Sequence, residues 1–223
     1  MQEHDQAPLV NQIFDKIFQM LLSGEIPLGG TLNEATLAAR FSVSRGPVRE
    51  AIKMFQGRGL VVKEPYLKAH VVELSVADMV QIFQLREAVE CMSIRLATQN
   101  MSDADIDRLL SEFTIARTGE AIDVLDVHVR IAEGCGNERI RALLCDELYH
   151  LLRLYRARSG GKPGRRKDAY SEHWQILRAM KARDADLAES LMRAHIMRAT
   201  RSLEEVLASA TTEQHGIANR EAG

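Results

Sequence analysis

Between Leu9 and Leu74 the hydrophobic spacing changes once, and that change narrows the possible folds more than any other feature of the chain. Apolar residues first recur at helical intervals: Leu9, Val10, Ile13, Phe14, Ile17, Met20 and Leu21. The stretch "SGEIPLGG" stops this helix with glycine and proline. A short helix follows from about Asn33 to Arg40, carrying Leu37 and Ala38 inward. "FSVS" is a tight connection. Ser44 stands where a helix cap is expected, and Pro47 is tolerated because it lies in the first turn. The next helix runs to about Gln56, with Val48, Ala51, Ile52 and Phe55 on its inner face, and "GRG" ends it. The pattern then becomes that of strands. "LVVKE" and "AHVVEL" are two short β-rich runs around "PYLK", which reads as a small hairpin. Three helices followed by a hairpin predict a winged helix-turn-helix.

The remainder is helical. Ser75 with Asp78, and Ser102 with Asp105, mark helix starts, because a serine hydroxyl can accept a backbone N–H of the first turn. Expected helices cover roughly 76–98, 103–117, 120–134, 137–158, 168–182 and 185–208. "SGGKPGRRK" is a flexible loop among them, and the polar tail from about Thr211 is expected to fray. No internal repeat is present. The expected architecture is mainly α: a winged helix-turn-helix over 9–74, then an all-α bundle of about six helices over 75–210.

Composition closes off several classes. The three cysteines, Cys91, Cys135 and Cys145, form no CxxC pair and are odd in number. That argues against a disulfide framework and a cysteine-rich zinc site, and fits a reducing cytosol. The polar opening "MQEHDQAPLV" is not expected to act as a signal peptide. No apolar run approaches the roughly 20 residues of a membrane span. The formal net charge is -2, so the chain as a whole is no basic nucleic-acid coat. Between Leu9 and Leu74, however, eight basic side chains face six acidic ones. A mildly basic head on an acidic body is compatible with nucleic-acid binding by the head.

Position matters more than the sum. Arg45, Arg49 and Lys53 follow i, i+4, i+8 and make one stripe, away from the Val48/Ile52/Phe55 face. A helix packed by one face and basic on another can lie in the major groove. Its N-terminus also turns backbone N–H groups and a positive dipole toward phosphate. The plain alternative is a solvated face whose arginines pair with nearby acids such as Glu50. The helix-turn-helix context and the following hairpin favour the first reading.

The stretch "IPLGGTLNEATLAARFSVSRGPVREAIKMFQGRGLV" resembles the DNA-binding domain of GntR-type bacterial transcription regulators. The match runs through Gly29 or Gly30, Leu32, Glu34, Leu37, Ala38, Val43 to Arg45, Pro47 to Ala51 and Gly59. The resemblance implies that Arg45 and Arg49 contact operator DNA, Arg49 at a base edge, where a guanidinium can bond guanine O6 and N7 together. It implies phosphate contacts for Ser44 and Thr36. The wing departs from the family pattern: in "LKAHVV", Lys68 stands where a glycine is usual. Lys68 and His70 are placed either to meet the DNA backbone or minor groove, or simply in solvent.

The second half resembles the FCD effector domain of the FadR-type branch. "LREAVECMSIRLA" carries its R-x-x-x-E as Arg86 and Glu90, "HVRIAEGCGN" its histidine before G-N, and "EHWQILRAMKARDADLAESLMRAHI" its final helix pair. The resemblance implies a divalent-metal site of three histidines, His128, His173 and His195, with zinc or nickel suited to imidazole. The family's fourth ligand, an aspartate one turn before the first histidine, is Val124 here. Asp123 and Asp126 flank that position but point elsewhere in a regular helix. A bent helix, a ligand carboxylate or water could fill the gap; alternatively the histidines bind an organic anion directly. Arg86 is the candidate to hold an anionic effector, with Glu90 beside it, or the two form an i,i+4 ion pair. The other histidines, His4, His150 and His215, are expected at the surface, with the effector cavity as a second position for His150.

Together these readings describe a cytoplasmic, nucleoid-associated regulator. It is expected to be a homodimer binding a pseudo-palindromic operator, of the repressing kind common in the family, and answering to a small anionic metabolite. Two rival classes are a metal-dependent hydrolase built on the three histidines, and a winged-helix interaction module that binds no DNA. No H-E-x-x-H or general base at a diagnostic spacing supports the hydrolase.

Overall fold

A computed structural model of the chain describes residues 8–63, 68–73, 75–116, 124–158 and 165–221. These fall into two compact units. The first takes those of Met1–Leu74 and His150–Arg158; the second takes those of Ser75–Tyr149 and Ser159–Gly223.

The first unit is the winged helix-turn-helix read from the spacing. Helix α1 spans Leu9–Ser23, α2 Glu34–Phe41 and α3 Arg45–Gly57. Asn33 caps α2 by accepting from the backbone N–H groups of Ala35 and Thr36. The inward faces of α1 and α3 meet, with the Phe14 and Phe55 rings stacked at 4.2 Å between centroids. Ile13, Ile17, Leu21, Val48, Ala51 and Ile52 are buried around them. Each of the larger of these side chains contributes about 1.5–3 kcal/mol by leaving water.

The sheet has one strand more than the expected hairpin. Strands β2 (Val61–Val62) and β3 (Ala69–Val71) form the antiparallel pair, and β1 (Thr31–Leu32) adds to the other edge of β3. The backbone at Gly29 and Gly30 continues the ladder, with Gly29 donating to the Val71 carbonyl and Val71 to that of Gly30. A Cβ on Gly30 would lie 2.7 Å from the Pro27 carbonyl oxygen, so only glycine fits this turn. Two residues between glycines and a helix cap carry too short a pattern to read as a strand.

In the second unit α4 spans Val76–Asn100, α5 Asp103–Ala116 and α6 Val124–Gly134. Both expected serine caps are made: Ser75 accepts from the Asp78 N–H and Ser102 from that of Asp105. Helix α7 (Glu138–Arg141) leads into a π-helical stretch, Ala142–Leu148, and then α8, Tyr149–Arg158. Helix α9 covers Arg165–Lys181 and α10 Ala185–Glu221. Helix α4 packs along α10, α9 against α5 and α10, and α6 against α4.

Two expectations change. Helix α10 continues to Glu221 rather than fraying from Thr211. His150 is not a surface residue. Its ring meets those of Phe14 and Phe18 edge-on within the first unit, where Leu154 of the same helix is also buried.

Candidate functional site

Helix α3 buries Val48, Ala51, Ile52 and Phe55 and turns the Arg45, Arg49 and Lys53 stripe outward. Ser44 sits at its N-cap with extended backbone, yet its hydroxyl makes no capping bond. Thr36 is exposed on α2, whose C-terminal end leads through Ser42–Ser44 into α3. The arginine stripe is paired, but not as the sequence alone suggested. Arg49 donates from Nε (3.1 Å) and Nη2 (2.9 Å) to Glu34 Oε2 in the first turn of α2. Glu50 instead accepts from Lys53 Nζ at 2.8 Å. The bond from Arg49 holds the Glu34 carboxyl below its ordinary range, the charge of the guanidinium adding to it against the cost of desolvation. On the wing, Lys68 and His70 are exposed, the His70 ring lying 3.4 Å from Thr31 Oγ1. Residues 64–67, between the two strands, lie outside the described residues.

The second unit assembles a different site at its centre. Four helices converge: α4 brings Arg86 and Glu90, α6 His128, α9 His173 and Glu172, α10 His195. All three histidines are buried, His173 completely, and one nitrogen from each lies within 4.8 Å of the others. His128 Nε2 and His173 Nε2 face each other at 2.9 Å. Among the described residues, the cluster contains these three and no carboxylate. Val124 heads α6, one turn before His128. Asp123 and the side chain of Asp126 lie outside what the structure describes.

Arg86 and Glu90 are as buried as the histidines, each 3% exposed. They form the i,i+4 ion pair, and Glu90 reaches on through its other oxygen to His128 Nδ1. Arg86 Nη2 also lies 3.3 Å from His128 Nε2, so the guanidinium borders the histidine centre itself. Burial alone would raise the Glu90 pKa, but the adjacent Arg86 and His128 outweigh it and hold the carboxyl well below its usual range. Across the site, His195 Nδ1 meets Glu172 Oε2 at 2.6 Å. Glu172 also accepts from Arg165 Nη2 at 2.9 Å and from Arg198 Nε at 2.6 Å. Burial pushes the His195 imidazole down to about 4, against the pull of Glu172, so it is neutral at pH 7.

This donor set fits a borderline divalent cation. A metal takes neutral imidazole, here supplied by buried rings from three helices. Two of the rings spend Nδ1 on a carboxylate, which leaves Nε2 as the coordinating nitrogen.

Glu172 and Arg165 were not among the residues singled out in the sequence. Glu172 adjoins His173 along α9 but meets His195 from α10. Helical spacing cannot reveal a contact between helices, and no local signal marks it.

Residues 9–66 match the family of bacterial regulatory proteins described as the gntR family, and residues 81–198, more than half of the chain, match the FCD domain. The chain belongs to the gntR family of FCD-bearing bacterial regulators. Among relatives of this gntR-family regulator is the HTH-type transcriptional regulator LutR of Bacillus subtilis, 30% identical over 203 residues, which cover 79% of this chain and 93% of LutR. A probable D-xylose utilization operon transcriptional repressor of Paenarthrobacter nicotinovorans is 28% identical, over 86% of this chain and 87% of its own. In fold, the E. coli McbR/YncC structure superposes with a TM-score of 0.69 at 18% identity, over 90% of this chain and 99% of that one. The gntR-family chain is thus a DNA-binding transcription regulator and not an enzyme. Among the described residues no helix is long and apolar enough to cross a membrane.

Proposed function

We propose that this regulator is a ligand-responsive repressor whose operator affinity is set by a small anionic metabolite bound at a metal-loaded centre in its second unit. The observation that carries the reading is Arg86 Nη2 at 3.3 Å from His128 Nε2. An anion placed at the histidine centre comes within reach of a buried guanidinium, which forks naturally onto carboxylate or phosphate. His128, His173 and His195 would hold the cation, zinc or nickel, which supplies a positive centre for the anion. The valine at position 124 adds no ligand atom to that set. Effector binding changes output only by favouring one of two states that differ in operator affinity. Repression is supported by relatives named as repressors, including GlaR and RspR of Escherichia coli.

At the operator, Arg49 reads a base edge in the major groove. Arg45, Lys53, Ser44 and Thr36 hold phosphates, with Lys68 and His70 meeting the DNA from the wing. The uncommitted Ser44 hydroxyl at a helix N-terminus suits a phosphate oxygen. A homodimer would match two half-sites. Helix α4 supports this: Ile82, Leu85, Val89, Met92 and Leu96 recur at heptad spacing, and Leu85 and Met92 are 44% and 49% exposed. Operator DNA places the regulator at the nucleoid in the cytoplasm.

The test is a gel shift with the region upstream of its own gene. Arg49→Ala, with its fold intact by circular dichroism, should bind that DNA about 5- to 150-fold more weakly. Unchanged affinity would sink the role given to Arg49. A thermal-shift screen of small carboxylates, sugar acids and amino acids on zinc-loaded protein then tests the effector, since a native-state ligand raises stability.

A further inference from the structure

Val124 deprives the histidine centre of the carboxylate ligand expected one turn before His128, yet two other carboxylates stand directly behind the histidines. Glu90 Oε2 meets His128 Nδ1, and Glu172 Oε2 meets His195 Nδ1 at 2.6 Å. Each carboxylate is also held by arginine. Glu90 takes Arg86 through Oε1. Glu172 takes Arg198 through Oε1 and Arg165 through Oε2. Two chains of the same order, arginine to glutamate to histidine, therefore run toward one point from α4 and from the α9–α10 pair.

From this geometry we infer that Glu90 and Glu172 are the positioning residues of the metal centre, each accepting an Nδ1–H and so committing Nε2 of His128 and His195 to the cation. An ionised carboxylate can only accept, so the proton on the facing ring nitrogen must belong to the histidine. With Nδ1 protonated, Nε2 carries the lone pair. The same contacts fix each ring plane and bring negative charge close to a ligand set that is otherwise neutral imidazole. The arginines hold the carboxylates in these pairings. This inference rests on the metal reading of the preceding section, and nothing in the gntR or FCD matches assigns either glutamate.

The experiment uses the full-length protein and Zn²⁺ alone. Zinc affinity is measured by competition with a chromogenic chelator, and stoichiometry by elemental analysis. Wild type should bind one zinc per chain. Glu172→Ala should bind it about 10- to 100-fold more weakly, with Glu172→Gln in between, because the amide still accepts from Nδ1–H but brings no charge. Glu90→Gln should behave likewise. Equal zinc affinity in wild type and all three variants would overturn the inference while leaving the metal reading standing. Failure of wild type to bind zinc or nickel would overturn both.

A second measurement has a wild-type arm that needs no variant to fold. Long-range ¹⁵N–¹H spectra of metal-free wild type should show Nδ1-protonated tautomers for two of the buried histidines, reverting to the ordinary Nε2-protonated form for His195 in Glu172→Ala. Nε2-protonated tautomers in wild type would overturn the inference.

Discussion

Arg49 is held in the free protein by a single oxygen of Glu34, one helix away. The pair ties the guanidinium on α3 to the first turn of α2. Exposed pairs contribute little to stability, so Glu34→Gln should leave the melting temperature nearly unchanged. Its effect should appear in recognition. Freed of its acceptor, Arg49 samples more rotamers, and the loss of a negative charge favours any phosphate. Affinity for non-specific DNA should rise while the ratio of operator to non-specific affinity falls, as read by titration at several salt concentrations. An unchanged ratio would show that Glu34 does not position Arg49. The arginines and the stripe were legible in the sequence because spacing along one helix is local. Their partner was not: Glu50 is nearer in sequence, but the helix-turn-helix angle brings Glu34 to Arg49 and leaves Glu50 to Lys53.

Between elements, the α1–α3 contact organises the head. Phe14 stacks on Phe55, and both are buried with the neighbouring aliphatics. Phe55→Ala removes a ring from a close-packed site and should cost about 3–5 kcal/mol, measured by chemical denaturation. Operator binding should fail with it, because the reading helix loses the face that holds it. Helix α4 makes the opposite case, with an apolar face left toward solvent. If that seam joins two copies, Leu85→Glu with Met92→Glu should convert dimer to monomer in sedimentation experiments without loss of helix content. A dimer that persists would place the interface elsewhere. The helices of both units were legible from period, and α4 and α5 also from their caps, since Ser75 and Ser102 make bonds within their own first turns, whereas the Ser44 hydroxyl makes no capping bond. The third strand was not, because two residues acquire strand character only from the ladder with β3. The π-helical stretch at Ala142–Leu148 was likewise read as ordinary helix, since seven residues are too few to tell its wider turn from an α-helical one.

For the whole molecule, zinc binding to the native state alone must raise stability by mass action. At free zinc 100 times the dissociation constant the gain is about 2.7 kcal/mol, which should lift the second unit's melting transition by several degrees and leave that of the first unit in place if the two melt separately. A chelator should reverse it. A shift that survives His173→Ala would show that zinc acts elsewhere. The sequence by itself determined the class of each half, marked the basic stripe of α3 as the candidate reading face, and, through the family resemblance, named three histidines that the structure brings together. These follow from patterns repeated within single helices, and from motifs whose residues keep their order along the chain. Only the tertiary structure decided what surrounds those residues. It made Glu90 a partner of both Arg86 and His128, brought Glu172 to His195, and turned His150 into the aromatic cluster of the first unit. Such contacts join side chains tens of residues apart. They are set by how helices pack, which no local period encodes.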